Sequence, residues 1–177
     1  SIKKIKHVNL VGLGEVLLDK KLHHKIEYLK IKGVKHISFP SNASLLKSNT
    51  SEKLLYAGLG EIIIGIDSMN KKNFEKVRRD LIFEEVIENT LSHIKIRDKY
   101  DYNSKIMIRM IISKENSGEW KSYKKYWSKL LNFNKGDMIL YFPEHNWSAA
   151  DYPNSTGIQK IIKDVKCEYV YNRTCID

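Results

Sequence analysis

Cysteine is scarce: only Cys167 and Cys175 occur in 177 residues, both near the C-terminal end. Two such residues make no disulfide framework and leave reduced thiols as the default. Long apolar runs are also missing. Nothing approaches the roughly 18 residues of a membrane span, and the opening Ser-Ile-Lys-Lys-Ile-Lys is not followed by the apolar stretch of a signal peptide. The chain therefore reads as cytoplasmic, without a membrane partner. Basic clusters are the third absence. Lys and Arg number 31 against 21 Asp and Glu, a formal charge of +10, yet no five basic residues stand together. Affinity for a polyanion comes from clustered cations, so lysines scattered over every segment describe a solvated surface rather than a nucleic-acid site. The apolar fraction of 42% is that of a globular domain with its own core.

What is present alternates. Short, β-branched, nearly continuous apolar runs fall at residues 7–11, 36–39, 61–66, 105–112 and 137–142, as expected of strands buried on both faces. Between them lie segments of helical period: 20–31, 51–57, 71–79 running on into 83–100, and 119–131. In the longest, Ile87, Leu91 and Ile94 fall at spacings of four and three and define one apolar stripe. Gly33 and Gly58 follow the first two helices as C-terminal punctuation. Asn70 is placed to cap the third, and Ser51 to start the second. Repeated β-α units joined by short connections predict an α/β fold around a parallel sheet. Periodicity does not choose between a barrel and an open sheet.

In such folds ligands sit at the carboxyl ends of strands. The first strand ends in Gly12-Leu13-Gly14-Glu15, where two glycines let backbone approach a ligand and Glu15 could neutralise a cation. The same residues also make an ordinary turn. No third glycine follows and a carboxylate stands where a pyrophosphate would be repelled, so this is no dinucleotide fingerprint. The second strand ends in Ser41-Asn42-Ala43, turn residues or pocket lining. The third ends in Gly65-Ile66-Asp67, whose carboxylate is either a helix cap or a ligand contact.

Taken in order, these segments resemble one family. Gly12-Leu13-Gly14-Glu15-Val16-Leu17-Leu18 is similar to the G-x-G-E-P-L-L segment of radical S-adenosylmethionine (radical SAM) enzymes. Ser41-Asn42-Ala43-Ser44-Leu45-Leu46 resembles their T-N-G-x-L-L, with Ala43 for the usual Gly. The run from Ala57 to Asp67 resembles A-G-L-D-x-I-x-x-S-I-D, with Gly65 for Ser. Asn73-Phe74-Glu75-Lys76-Val77-Arg78 is similar to Y-E-K-I-R, and Phe83-Glu84-Glu85-Val86-Ile87-Glu88-Asn89 to F-E-x-V-I-E-N. Near the end, His145-Asn146-Trp147 resembles the H-N-W-G-G of members with a C-terminal SPASM extension, and Cys167-Glu168-Tyr169 the opening of that extension.

The resemblance implies a partial (β/α)6 TIM-like barrel over residues 1–165, lacking its first β-α unit, and the start of a SPASM extension over 166–177. It implies an oxidoreductase or maturase-type enzyme that cleaves SAM reductively at a 4Fe-4S cluster and abstracts a substrate hydrogen through a 5'-deoxyadenosyl radical. The partners implied are a small-molecule or peptide substrate and an electron donor such as flavodoxin or ferredoxin. Gly12, Gly14, Glu15, Ser41, Asn42, Asp67 and Arg78 are the expected SAM contacts. A rigid guanidinium at Arg78 suits the SAM carboxylate, although beside Arg79 it also reads as a surface helix residue. Cys167 is the expected first ligand of an auxiliary 4Fe-4S cluster. No C-x-x-x-C-x-x-C, the family's principal cluster loop, occurs in the sequence. The chain is accordingly expected to be an internal piece of a longer enzyme; the alternative is a degenerate barrel that binds ligand without radical chemistry. No residue is marked as the catalytic acid or base.

Overall fold

A computed structural model describes residues 5–144, which alternate strand and helix. The elements are β1 (His7–Asn9), α1 (Leu22–Ile31), β2 (His36–Ser41), α2 (Ser48–Tyr56), β3 (Glu61–Gly65), α3 (Lys71–Val77), α4 (Phe83–Lys99), β4 (Lys105–Ile112), α5 (Trp120–Trp127) and β5 (Met138–Pro143). Up to Phe142 the chain forms one compact unit. The boundary expected at residue 165 lies outside the described residues.

The strands lie side by side in chain order, and β1–β2, β2–β3 and β3–β4 pair in parallel. Parallel neighbours require crossovers, and these are right-handed for reasons of twist. Because the order never reverses, the connecting helices all fall on one face, whereas a doubly wound sheet carries helices on both. The α/β parallel sheet expected from the sequence is therefore present, wound in one sense. β1 and β5 are its two edges, so the described residues do not close a barrel.

Register separates the two faces. Phe39 stands opposite Ile62 and Ile62 opposite Ile106, while Ser41, Ile64 and Ile108 form the next row. Alternation puts Ile37 and Met110 on that same face. All these side chains are buried, and all but Ser41 belong to one core cluster with Ile26, Leu54, Phe74 and Val86 from the helices. The opposite face is largely polar. His7, Asn9, His36, Ser38 and Glu61 occupy its amino-terminal half, and Gly65 and Arg109 meet at its carboxyl end. In the lower half the Ser38 hydroxyl donates to Asn9 Oδ1 at 3.1 Å and lies 3.0 Å from His7 Nε2. The His7 and His36 rings meet edge to face at 4.5 Å.

Helix boundaries differ from the sequence reading where side chains do unexpected work. Ser51 does not start α2: it is buried in its second turn, donating to the Leu46 carbonyl at 3.4 Å. The expected continuous helix from 71 to 100 breaks after Val77, with Asp80 left-handed at φ 64°. Asn70 caps α3 as expected, accepting from the Asn73 amide at 3.2 Å. Helix α5 stops at Trp127, short of the expected 131, and is entered through a 3-10 turn at Ser117–Glu119 whose Glu119 side chain binds the loop after β3.

Helix α4 is rotated relative to its apolar reading. Ile94 is buried, but Ile87 and Leu91 are only partly so; Val86, Asn89, Thr90, His93, Ile96 and Arg97 form the innermost face. Buried polar groups must find partners, and most of these do. Asn89 Nδ2 donates to the carbonyls of Ala43 and Ser44 at 2.9 and 3.1 Å, and Thr90 Oγ1 donates to the Val86 carbonyl. Arg97 makes a bidentate bridge to Asp137, both bonds at 2.7 Å. His93 has no hydrogen-bond partner on either ring nitrogen.

Candidate functional site

The polar residues singled out in the sequence collect at the carboxyl ends of β1, β2 and β3. After β1, Gly14 takes φ 94°, a left-handed conformation that costs little without a Cβ. This delivers Glu15 to the start of a single 3-10 turn at Val16–Leu18, where its carboxylate accepts the Leu17 amide at 3.2 Å. The same carboxylate crosses to β2, accepting from Ser41 Oγ and from the Asn42 amide, each at 2.8 Å. Gly12 stands in open space beside them.

Ser41 and Asn42 are locked in turn. Ser41 Oγ accepts the Ala43 amide at 3.0 Å, and Asn42 Oδ1 accepts the Ser44 amide and hydroxyl at 3.0 and 2.7 Å. Ala43 itself is left-handed, φ 59°, which accounts for the glycine that the resemblance expects there. Asn89 clamps this loop from α4. The strand ends are thus fixed by side chains before any ligand is considered.

One strand further on, Asp67 is almost wholly buried. Its Oδ1 accepts the Ile111 amide at 2.8 Å and its Oδ2 accepts Arg78 Nε at 2.6 Å. Arg78 reaches it because α3 ends at Val77. Arg78 closes the helix with its amide on the Phe74 carbonyl at 2.7 Å, and its side chain folds back over β3 while Arg79 stays exposed. Arg78 is thus the C-cap of α3, half-buried and paired with Asp67, rather than an exposed helix position. Ser41 stands opposite Ile64, one residue before Gly65. The Glu15 group and the Asp67–Arg78 pair therefore occupy the ends of adjacent strands.

Three residues at this edge were not singled out in the sequence. Asn116 Nδ2 donates to the Asp67 carbonyl at 2.6 Å and to the Ile111 carbonyl at 2.8 Å. Glu119 accepts from Ser68 Oγ, the Met69 amide and Asn73 Nδ2. Neither was marked by anything but its residue type. Arg109 was legible: it is the one ionisable residue inside the otherwise apolar run Ile106 to Ile112. It faces Gly65 across the β3–β4 ladder. Burial lowers its pKa, the nearby Arg78 charge lowers it further, and Asp67 opposes both.

Cys167 and Cys175 lie outside the described residues, as do His145, Asn146 and Trp147. Among the described residues, no group of three or more His, Cys, Asp or Glu is arranged to hold a metal ion, and no helix is long and apolar enough to cross a membrane. Clefts of about 570 and 430 Å³ lie along α4 and at the amino ends of the strands, lined by none of the residues above.

No family model matches the chain. The class that the fold and this edge define is a singly wound parallel α/β domain with polar groups at its strand ends. Among characterised proteins, the chain is similar to a probable GTP 3',8-cyclase of Methanocaldococcus jannaschii. The two are 34% identical over 95 residues, which are 54% of this chain and 30% of that protein. The chain thus spans under a third of the length of the curated relative it matches. That likeness supports the radical SAM superfamily for this chain.

Proposed function

We propose that the chain supplies the SAM-binding wall of a radical SAM enzyme. One observation carries the reading. Glu15, Ser41, Asn42 and Asp67 fall, in order, after the carboxyl ends of three adjacent parallel strands, Arg78 reaches Asp67 from the end of α3, and each of these side chains is hydrogen-bonded to a neighbour. The relative's activity, that of a probable GTP 3',8-cyclase, is one of the radical SAM class, which supports the same reading.

The residues suit SAM's methionyl end. Its carboxylate needs forked cationic donors, which Arg78 offers through the groups that Asp67 leaves free. Its ammonium needs acceptors, since an unpaired buried cation is costly; the backbone carbonyls around Gly12 and Gly14, with Glu15, would supply them. Ser41, Asn42 and Asp67 would line the remainder, and with Gly65 in place of serine no hydroxyl contact comes from that position. The principal 4Fe-4S cluster, which supplies the electron that cleaves SAM, has no C-x-x-x-C-x-x-C loop in these 177 residues. Its ligands would have to come from elsewhere in a longer protein. Cys167 is proposed as the first ligand of an auxiliary cluster, and flavodoxin or ferredoxin as electron donor.

Calorimetric titration with SAM tests the wall directly. One molecule should bind per chain, and Arg78→Gln should weaken binding by about tenfold or more, the worth of one charge-assisted hydrogen bond. Absence of binding to the wild type, or equal affinity of the variant, would contradict the reading. The second reading, a barrel that binds ligand without radical chemistry, is favoured by the missing cysteine loop. Anaerobic reconstitution of the protein made from its whole reading frame separates the two, because only an enzyme would take up iron and release 5'-deoxyadenosine.

A further inference from the structure

Two arginines meet over the carboxyl end of β3. An ideal Cβ built on Gly65 would lie 3.1 Å from Arg78 Nη2 and 3.7 Å from Arg109 Nη2. Two guanidiniums therefore converge on one point above the end of β3. Asp67 is the carboxylate that acts on both, and its two oxygens already accept Arg78 Nε and the Ile111 amide. Arg109 Nε is buried without a hydrogen-bond partner among the described residues. Tyr123 does not supply the missing charge: its hydroxyl donates to the Ile66 carbonyl at 2.8 Å, and burial, with Asp67 nearby, holds its pKa well above the ordinary value. Among the described residues, Arg109 thus faces a second guanidinium and a single carboxylate whose oxygens are already engaged, in a place where an unpaired charge is costly.

We propose that Arg109, together with Arg78, forms an oxyanion site over Gly65 that takes a carboxylate or phosphate group. Guanidinium forks match both groups through paired N–H donors. The glycine matters because a side chain there would press on Arg78 Nη2. Two sources fit this chemistry: the methionyl carboxylate of SAM, in which case the inference rests on the function proposed above, or an anionic group of the substrate, in which case that group defines the substrate class.

The test uses inorganic phosphate as probe, at ionic strength held constant with chloride so that the scattered lysines contribute equally throughout. Binding is followed through the Gly65 amide and the Arg109 Nε–H resonances, with S-adenosylhomocysteine titrated in parallel. Saturable phosphate binding that shifts both resonances is expected. Arg109→Gln should lose about tenfold in affinity, and Arg109→Lys, which keeps the charge, should lose less. Circular dichroism confirms that each variant is folded. If phosphate and S-adenosylhomocysteine compete and Arg109→Gln weakens both, the anion is the SAM carboxylate. If they bind together and only phosphate is weakened, it belongs to the substrate. Phosphate binding without S-adenosylhomocysteine binding leaves the oxyanion site standing and removes the SAM reading. No saturable phosphate binding by the wild type, or the same affinity in folded Arg109→Gln, overturns the proposal.

Discussion

Replacing Asp137 with asparagine is expected to cost the fold about 3–5 kcal/mol, the usual penalty for breaking a buried ion pair from one side. Asp137 and Arg97 are both fully buried as side chains. The carboxylate accepts Nη1 and Nη2 of Arg97 at 2.7 Å each, the Ile106 amide at 2.9 Å and the Asn132 amide at 2.8 Å. It thus joins α4 to the start of β4 and to the turn before β5. Asparagine would present an NH2 group to at least one of these donors and leave the buried Arg97 charge to the partly exposed Asp98 alone, 2.7 Å from its Nε. Burial disfavours that charge, and it is the Asp137 bonds that hold the Arg97 pKa above its ordinary value. Urea denaturation of Asp137→Asn, Arg97→Met and the double variant Arg97→Met/Asp137→Leu measures the effect. Each single change should lose several kcal/mol, and the double variant should recover a large part, since it leaves neither charge stranded. Two single losses below about 1 kcal/mol, the range of an exposed pair, would show that the pair is not buried.

The second large effect is a loss of stability in mild acid caused by His93. The ring is fully buried, neither nitrogen has a hydrogen-bond partner, and burial followed by the nearby Arg97 charge lowers its pKa from 6.5 to about 3. In the unfolded chain it titrates near 6.5. Above that value neither state binds the proton and His93 adds no pH dependence. Between about 6.5 and 3 the unfolded state is protonated and the folded state is not, so stability falls by about 1.4 kcal/mol per pH unit. From pH 6.5 to 4.5 the loss from His93 reaches roughly 2 kcal/mol, with Glu and Asp side chains joining the titration in the lower part of that window. Stability of His93→Leu measured by denaturant at several pH values should be flatter over that window, and at pH 7 it should match or exceed the wild type, because two unpaired buried nitrogens are gone. An unchanged slope in the variant would assign the acid sensitivity to another group.

Much of this architecture is legible in the sequence because a parallel sheet buried on both faces writes nearly continuous apolar runs. The five strands lie where those runs stand, and Asn70 caps α3 as its residue type suggests. What was hidden depends on side chains that act at a distance. Ser51 reads as a helix start but is buried in α2. The interior face of α4 is set by Asn89, His93 and Arg97, polar residues that a hydrophobic stripe cannot register. Glu15, Ser41, Asn42, Asp67 and Arg78 were all legible as candidates, yet that Glu15 binds β2 and Arg78 binds Asp67 follows only from the folded geometry. Arg109 was not singled out, although it is a charge in an apolar strand, and its meaning required the register that puts it opposite Gly65. Barrel closure was beyond the periodicity, which reports the faces of each element and not the neighbour that β1 or β5 would meet.

The central claim is that ligand chemistry belongs to the carboxyl edge of the sheet. The most direct measurement is a map of amide shifts on titrating the folded chain with SAM. Shifts are expected at Gly14, Glu15, Asn42, Gly65 and Asp67, with His36, Gly60 and Lys105 at the amino edge unmoved. Shifts confined to the amino edge, or no saturable shift anywhere, would contradict the account.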